Sequence, residues 1–341
     1  WSDDDGHTHR PTAMMMDSIA KAFDRKGFQL INDYGQGPAP FDGGNLISEA
    51  DGIIILDGGD SPGGSEYNTY KAANFASNRH GYFHYHFVTH WVLTSSLDPI
   101  GGIAELPGDD LITSQPIPST NANYQTMAGT IMHELGHNLG LRHGGFENLH
   151  RKPNYNSVMN YNFQNSGVDT NCTLMGDGLL DYSSGERPAL NEWLLYEVYG
   201  ICPDDAPVNP MWYTDWNNDG DYSDYGSLDI NTMWYENPIP NTDPVQYYTN
   251  CNNEGRWCDQ ITEPDGIKQI LYDYDDWGNL NLTGILDADG LNPMAEELLP
   301  NINPEIIVDE LLPPAPPAGT QLRGEGSPNG QYRIGSGSGP G

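Results

Sequence analysis

Basic side chains are scarce in this sequence. Lysine and arginine number 14 against 48 aspartates and glutamates, a formal net charge of -34 over 341 residues. Nucleic acid and anionic membrane both require positive charge on a partner, so neither is expected here. The acidity suits a protein that binds calcium or works in salty surroundings; it equally suits plain solubility, and charge alone leaves both open. Long apolar runs are missing too. The longest lies around Ile53-Ile54-Ile55-Leu56, far short of the roughly 20 residues of a membrane-spanning helix. No signal peptide is visible and the sequence starts at Trp1, which predicts a mature or trimmed secreted product. Cysteine is sparse: Cys172, Cys202, Cys251 and Cys258 are the whole set, and none has the spacing of a zinc knuckle. An even count predicts two disulfides in an oxidising compartment. Three pairings are possible, and proximity favours Cys172–Cys202 with Cys251–Cys258.

What is present centres on residues 133–143, His-Glu-Leu-Gly-His-Asn-Leu-Gly-Leu-Arg-His. On a helix, positions i and i+4 share a face, so His133 and His137 can aim two imidazoles at one metal. Glu134 stands one residue along, within reach of a water on that metal without ligating it. Gly140 can leave the helix at little steric cost, so that His143 arrives from another direction. Three protein ligands with one open position is the arrangement of a catalytic zinc; a structural zinc is closed by four.

HExxHxxGxxH resembles the metzincin clan of zinc metallopeptidases. Downstream, Tyr155-Asn156-Ser157-Val158-Met159-Asn160-Tyr161 is similar to that clan's Met-turn, with a tyrosine two residues after the methionine as in the astacin- and serralysin-like branches. Gly144-Gly145 points to no one branch. The resemblance implies an α+β catalytic domain with a twisted mixed sheet, an active-site helix and a Met-turn. It implies Zn2+ as cofactor, Met159 as an apolar floor under the ligands, and Tyr161 as a hydroxyl that binds the zinc or donates to the reacting oxygen. It also implies protein or peptide substrates. In such domains the strand before the active-site helix is a sheet edge to which a peptide can add. Gly102, Ile103, Ala104 and Glu105 are the candidates for that edge.

Elsewhere periodicity predicts a helix over 11–26, with Met16, Ile19, Ala20 and Phe23 on one face and Gly27 after its end. It predicts strands at 28–31 and 52–56, the second buried on both faces, and a short helix carrying Tyr67, Tyr70 and Phe75. From His80 to Trp91, histidines alternate with aromatics, predicting a strand with aromatics inward and a solvated histidine face. A second metal there is weighed and set below the solvated face, because no carboxylate or cysteine accompanies the pairs. The active-site helix is expected over 123–139, anchored by Met127, Ile131, Leu135 and Leu139. Another helix is expected over 188–199, from Leu190, Leu194 and Val198.

Asp215, Asn217, Asp219 and Asp221, with Gly220 between the last two, place oxygens at alternate positions as a calcium loop does, so Ca2+ is a second expected cofactor. The residue at the usual bidentate position is Gly226, for which Asp224 or Asp229 would have to substitute; acidic turns without metal have the same composition. Two acidic clusters, Asp177 with Asp181 and Asp273 with Asp275 and Asp276, receive no role. The expected organisation is a catalytic domain over 1–205, an irregular acidic and calcium-binding extension over 206–300, and a Pro/Gly-rich tail over 301–341. The function expected is secreted zinc-dependent endopeptidase. The alternatives are a non-catalytic, calcium-dependent adhesion protein with a relic zinc site, against which the intact Glu134 speaks, and a zinc hydrolase of a non-peptide amide or ester.

Overall fold

The computed structural model describes residues 1, 7–38, 41–47, 52–56, 64–95, 97, 99–116, 119–120, 124–202, 213–217, 220, 223–233, 267–282 and 305–308. Helix α1 (Ala13–Arg25) begins where the Thr12 hydroxyl accepts from Met15 N–H, and it buries Met16, Ile19 and Phe23 as the periodicity predicts, with Met15 and Ala22 beside them while Ala20 stays half-buried. Strand β1 (Ile53–Ile55) and helix α2 (Gly64–Asn74) follow. Then come β2 (Tyr85–Thr89), β3 (Trp91–Leu93), β4 (Pro99–Ile100), β5 (Gly102–Leu106) and β6 (Asp110–Ser114). Helix α3 (Tyr124–Asn138) carries the histidine motif. Beyond it the elements are short: β7 (Leu149–His150), β8 (Leu190–Asn191), β9 (Leu195–Tyr196), β10 (Tyr225–Gly226), β11 (Thr232–Met233), β12 (Ile270–Leu271), α4 (Asp276–Asn279) and β13 (Glu305–Val308). The architecture is mixed α+β and metzincin-like. Among the described residues no helix is long and apolar enough to cross a membrane.

The main sheet has the order β13-β5-β6-β2, with β2 parallel to β6 and β5 antiparallel to both neighbours. A smaller sheet runs β1-β3-β4. Helix α3 lies on β5 and β6, and α1 lies on α3. Its expected stripe of Met127, Ile131, Leu135 and Leu139 is buried against Met15, Ile19 and Phe23 of α1 and against Tyr155, Met159, Tyr182 and Trp277. A second cluster joins Ile54, Tyr67, Phe87, Val92, Ile103 and Ile112. Burying both faces of α3 fixes it, and with it whatever the motif holds.

Four expectations fail locally. Residues 28–31 form no strand; Phe28 instead stacks on Trp277 with ring centroids 5.7 Å apart. Among the described residues strand β1 pairs only with β3, and it exposes Ile55, so it is an edge rather than a strand covered on both faces. The histidine face of β2 is not solvated. His86 Nε2 lies 2.8 Å from the Thr113 hydroxyl, and His84 Nδ1 lies 3.1 Å from Asn138 Oδ1. Burial pushes His86 down to about 3, so it stays neutral. Residues 188–199 form no helix: β8 pairs with β12, and β9 pairs with β10. The buried Glu192 carboxylate accepts from Ile230 N–H at 2.7 Å and Gln269 N–H at 2.8 Å, drawing this segment into long-range pairing that outweighs its helical periodicity.

The edge expectation also changes. Strand β5 is not free, because β13 pairs along it from Glu305 opposite Leu106 to Val308 opposite Ile103. The disulfide Cys172–Cys202 is present, with Cα atoms 5.4 Å apart. Cys251 and Cys258 lie outside the described residues.

Residues 267–282 enter the core built by the first two hundred. Asp276, fully buried, accepts from the Tyr155 hydroxyl at 2.9 Å and from Ser183 N–H at 3.0 Å. Trp277 Nε1–H donates to Asp181 and to Tyr182 O. The buried Lys152 ammonium donates to Gly144 O, Tyr272 O and Glu147. Of the unassigned acidic cluster around 273–276, Asp276 thus holds the Met-turn, Asp273 accepts from the Ser183 hydroxyl and Arg187 N–H, and Asp275 caps α4 through Gly278 N–H.

Candidate metal centre

His133 and His137 project from one face of α3 and are completely buried. The chain then leaves the helix at Gly140, whose φ is +89°. A side chain there would strain this left-handed turn. Leu141 N–H reaches back to Gly136 O at 2.9 Å, closing the helix end. That reversal returns His143 to the first two rings. The ring centroids lie 4.8 Å (His133–His137), 5.2 Å (His133–His143) and 4.9 Å (His137–His143) apart. One ligand nitrogen from each falls within 4.8 Å of the others.

Hydrogen bonds set which nitrogen faces the centre. His133 Nδ1 lies 2.8 Å from Val158 O, and His137 Nδ1 lies 2.8 Å from Leu141 O. A carbonyl only accepts, so both Nδ1 atoms carry the proton and Nε2 is left as the ligand. His143 Nδ1 lies 3.0 Å from His150 Nε2. Burial, then the neighbouring His150, His137 and His133, holds His143 well below the usual imidazole range. A neutral imidazole is the form that ligates. Three neutral imidazoles with oriented second nitrogens fit Zn2+, and the donor set offers calcium nothing.

Met159 is fully buried. A Cβ on Gly136 would strike its sulfur, so that glycine lets the Met-turn close up under α3. The Tyr161 hydroxyl lies 3.0 Å from His143 Nε2, at the rim of the three-ring cluster. Glu134 is fully buried and lies against β5. A Cβ built on Gly102 would stand 2.7 Å from Glu134 Cδ and 2.8 Å from Cγ, so only glycine leaves the carboxylate its place.

Ile103 and Ala104 run on from Gly102 with buried side chains. The Glu105 side chain turns inward: its carboxylate accepts from Asp109 N–H at 3.0 Å and Asp110 N–H at 3.3 Å. Burial pushes Glu105 up to about 7 and Asp110 up to about 8. Lys71 offsets that acidic cluster, with Nζ 2.7 Å from Asp110 Oδ1. Of the expected calcium loop, Asp215 is buried and accepts from Gly220 N–H at 3.0 Å, and Asn217 Nδ2 reaches Asp224 at 3.3 Å. Asp219 and Asp221 lie outside the described residues. The structure adds Glu197, whose carboxylate accepts from Trp216 N–H at 3.0 Å beside that loop. The sequence did not signal His150 or Glu197 at all, nor that Gly102 makes room for Glu134 or that Asp276 anchors Tyr155, because each role depends on a tertiary contact.

Residues 50–144 match the family model described as Metallo-peptidase family M12B Reprolysin-like. Neither a curated protein nor a solved structure matches the chain. The matched stretch runs from just before β1 to the residue after His143, and so takes in β1 to β6, α2, α3 and all three imidazoles. With the Met-turn seated beneath them, the metzincin resemblance holds and the chain carries a zinc metallopeptidase core.

Proposed function

We propose that this chain is a secreted zinc endopeptidase, with Glu134 as general base and Tyr161 as hydrogen-bond donor to the reacting oxygen. One observation carries the reading: three imidazole ligand atoms converge within 4.8 Å, with Glu134 on the same helix against β5. Bound zinc would polarise a substrate carbonyl and lower the pKa of a water to about 7. Glu134 takes the proton of the attacking water and passes it to the leaving nitrogen. The Tyr161 hydroxyl donates to the oxygen that gains charge. Backbone groups of Gly102, Ile103, Ala104 and Glu105 align the peptide as an added strand. The side of β5 held by residues 305–308 is where that strand would lie. The disulfide supports an oxidising compartment. Calcium at Asp215, Asn217, Asp219 and Asp221, joined by Glu197, is a further part of the reading.

Incubating the purified chain with a proteome-derived peptide library tests this. Internal cleavage that a chelator abolishes and zinc restores is expected; an intact library at full zinc loading would overturn it. Gly102→Ala probes the contact with the base. An added methyl displaces the Glu134 carboxylate by roughly an ångström, a shift that costs about a hundredfold in turnover. Zinc content should not change, and kcat rather than KM should carry the loss. Full activity in that variant would show that β5 does not position Glu134.

A further inference from the structure

A second group of three histidines lies outside the site above. His7, His9 and His90 each offer a nitrogen, and these atoms all fall within 4.8 Å of one another. His9 Nε2 stands 3.0 Å from His7 Nε2 and 3.2 Å from His90 Nδ1. The rings are edge-on to one another, with interplanar angles of 68°, 61° and 68°. His9 is fully buried, and the other two are half-buried.

Hydrogen bonding alone does not account for this geometry. An imidazole nitrogen carries either one proton or one in-plane lone pair. His9 Nε2 can therefore make one well-aligned hydrogen bond, yet two ring nitrogens stand at hydrogen-bonding distance from it. A metal ion satisfies all three at once. With Zn–N bonds of about 2.0–2.1 Å, the ligand nitrogens of a tetrahedral site stand about 3.3–3.4 Å apart, close to the two separations that His9 makes.

The backbones that present these rings are tied down before any metal arrives. Thr8 O accepts from Ser119 N–H at 3.0 Å. The Arg10 guanidinium donates to Tyr34 O at 3.2 Å and Gly35 O at 2.6 Å. On the other side, the Thr89 hydroxyl and Trp91 N–H both donate to Gly52 O, at 2.7 and 3.1 Å, one residue either side of His90. Two segments 81 residues apart are thus held with their imidazoles facing. A preorganised donor set of this kind costs little to close around an ion.

We propose that His7, His9 and His90 form a second metal site, for zinc or another late first-row divalent ion. An all-imidazole set selects zinc, copper, nickel or cobalt over calcium or magnesium, which require oxygen ligands. The site staples the segment before α1 to the junction between β2 and β3, and the described residues supply three of its ligands.

Zinc counting on the full chain tests this without reference to peptidase activity. The chain is stripped with chelator, reloaded with excess zinc, passed through a desalting column and assayed for metal per chain. Wild type is expected to hold two zinc ions, the His7→Ala/His90→Ala double variant one, and His143→Ala one. The double variant spares the buried His9, and its circular dichroism should match wild type. If it does not fold, His7→Ala and His90→Ala are read singly, each weakening the second zinc at least tenfold in a competition with a chromophoric chelator. One zinc in wild type, or two in a folded double variant, would overturn the assignment. Peptide cleavage by wild type is scored separately, so the two readings fail independently.

Discussion

Replacing Glu134 with glutamine is expected to lower kcat by about 10²–10⁴-fold, the usual contribution of a positioned general base. The amide keeps the shape and volume of the carboxylate, so the tight contact with Gly102 survives and the helix is undisturbed. It cannot accept the water's proton. Glu134 is fully buried on α3, one residue from His133, so bulk solvent is poorly placed to stand in for it. Zinc content and unfolding temperature should match wild type, which separates loss of the base from loss of the fold. Peptide cleavage at a wild-type rate would dismiss Glu134 as the base. The adhesion alternative predicts no effect on whatever binding the chain performs.

The other large effect is expected from His143→Ala. Four-ligand zinc sites bind with about 10–16 kcal/mol, so one imidazole is worth roughly 3 kcal/mol, more than two decades in affinity. The substitution also orphans the contacts that converge on that ring, from His150 on one nitrogen and the Tyr161 hydroxyl on the other. Zinc should leave this site on dialysis, and cleavage should drop to background. His150→Ala offers the useful contrast. It removes only the group that orients the ligand, a change worth about 10–100-fold in affinity or activity. Equal losses in the two variants would mean that His143 does not ligate.

The catalytic half was legible because its chemistry is local. Five residues of one helix place His133, Glu134 and His137, and a single glycine brings His143 round. The stripe on α3 was legible for the same reason. Long-range residues were not. His84 and His86 read as solvated because alternation tells which face a side chain takes, and not that Asn138 and Thr113 will cover it. Alternation sets His90 beside only the histidines of its own strand; the two that meet it, His7 and His9, come from about 80 residues earlier in the chain. Leu190, Leu194 and Val198 keep a helical period, but the structure buries Leu190 and Leu195 and exposes Leu194 and Val198. The carboxylates of Glu192 and Glu197 make the backbone bonds that decided the matter.

The anchoring of the Met-turn by Asp276 bears on the order in which this molecule is made. All three imidazoles of the motif have left the ribosome once residue 143 is out, and Met159 soon after. The acceptor for the Tyr155 hydroxyl arrives only with residue 276, and the Trp277 indole that packs on Phe23 and Tyr182 one residue later. Contacts so distant along the chain form late in folding. A nascent polypeptide therefore exposes its zinc-binding histidines well before it has a finished floor to hold them, and full hydrolytic competence waits for synthesis to pass that point.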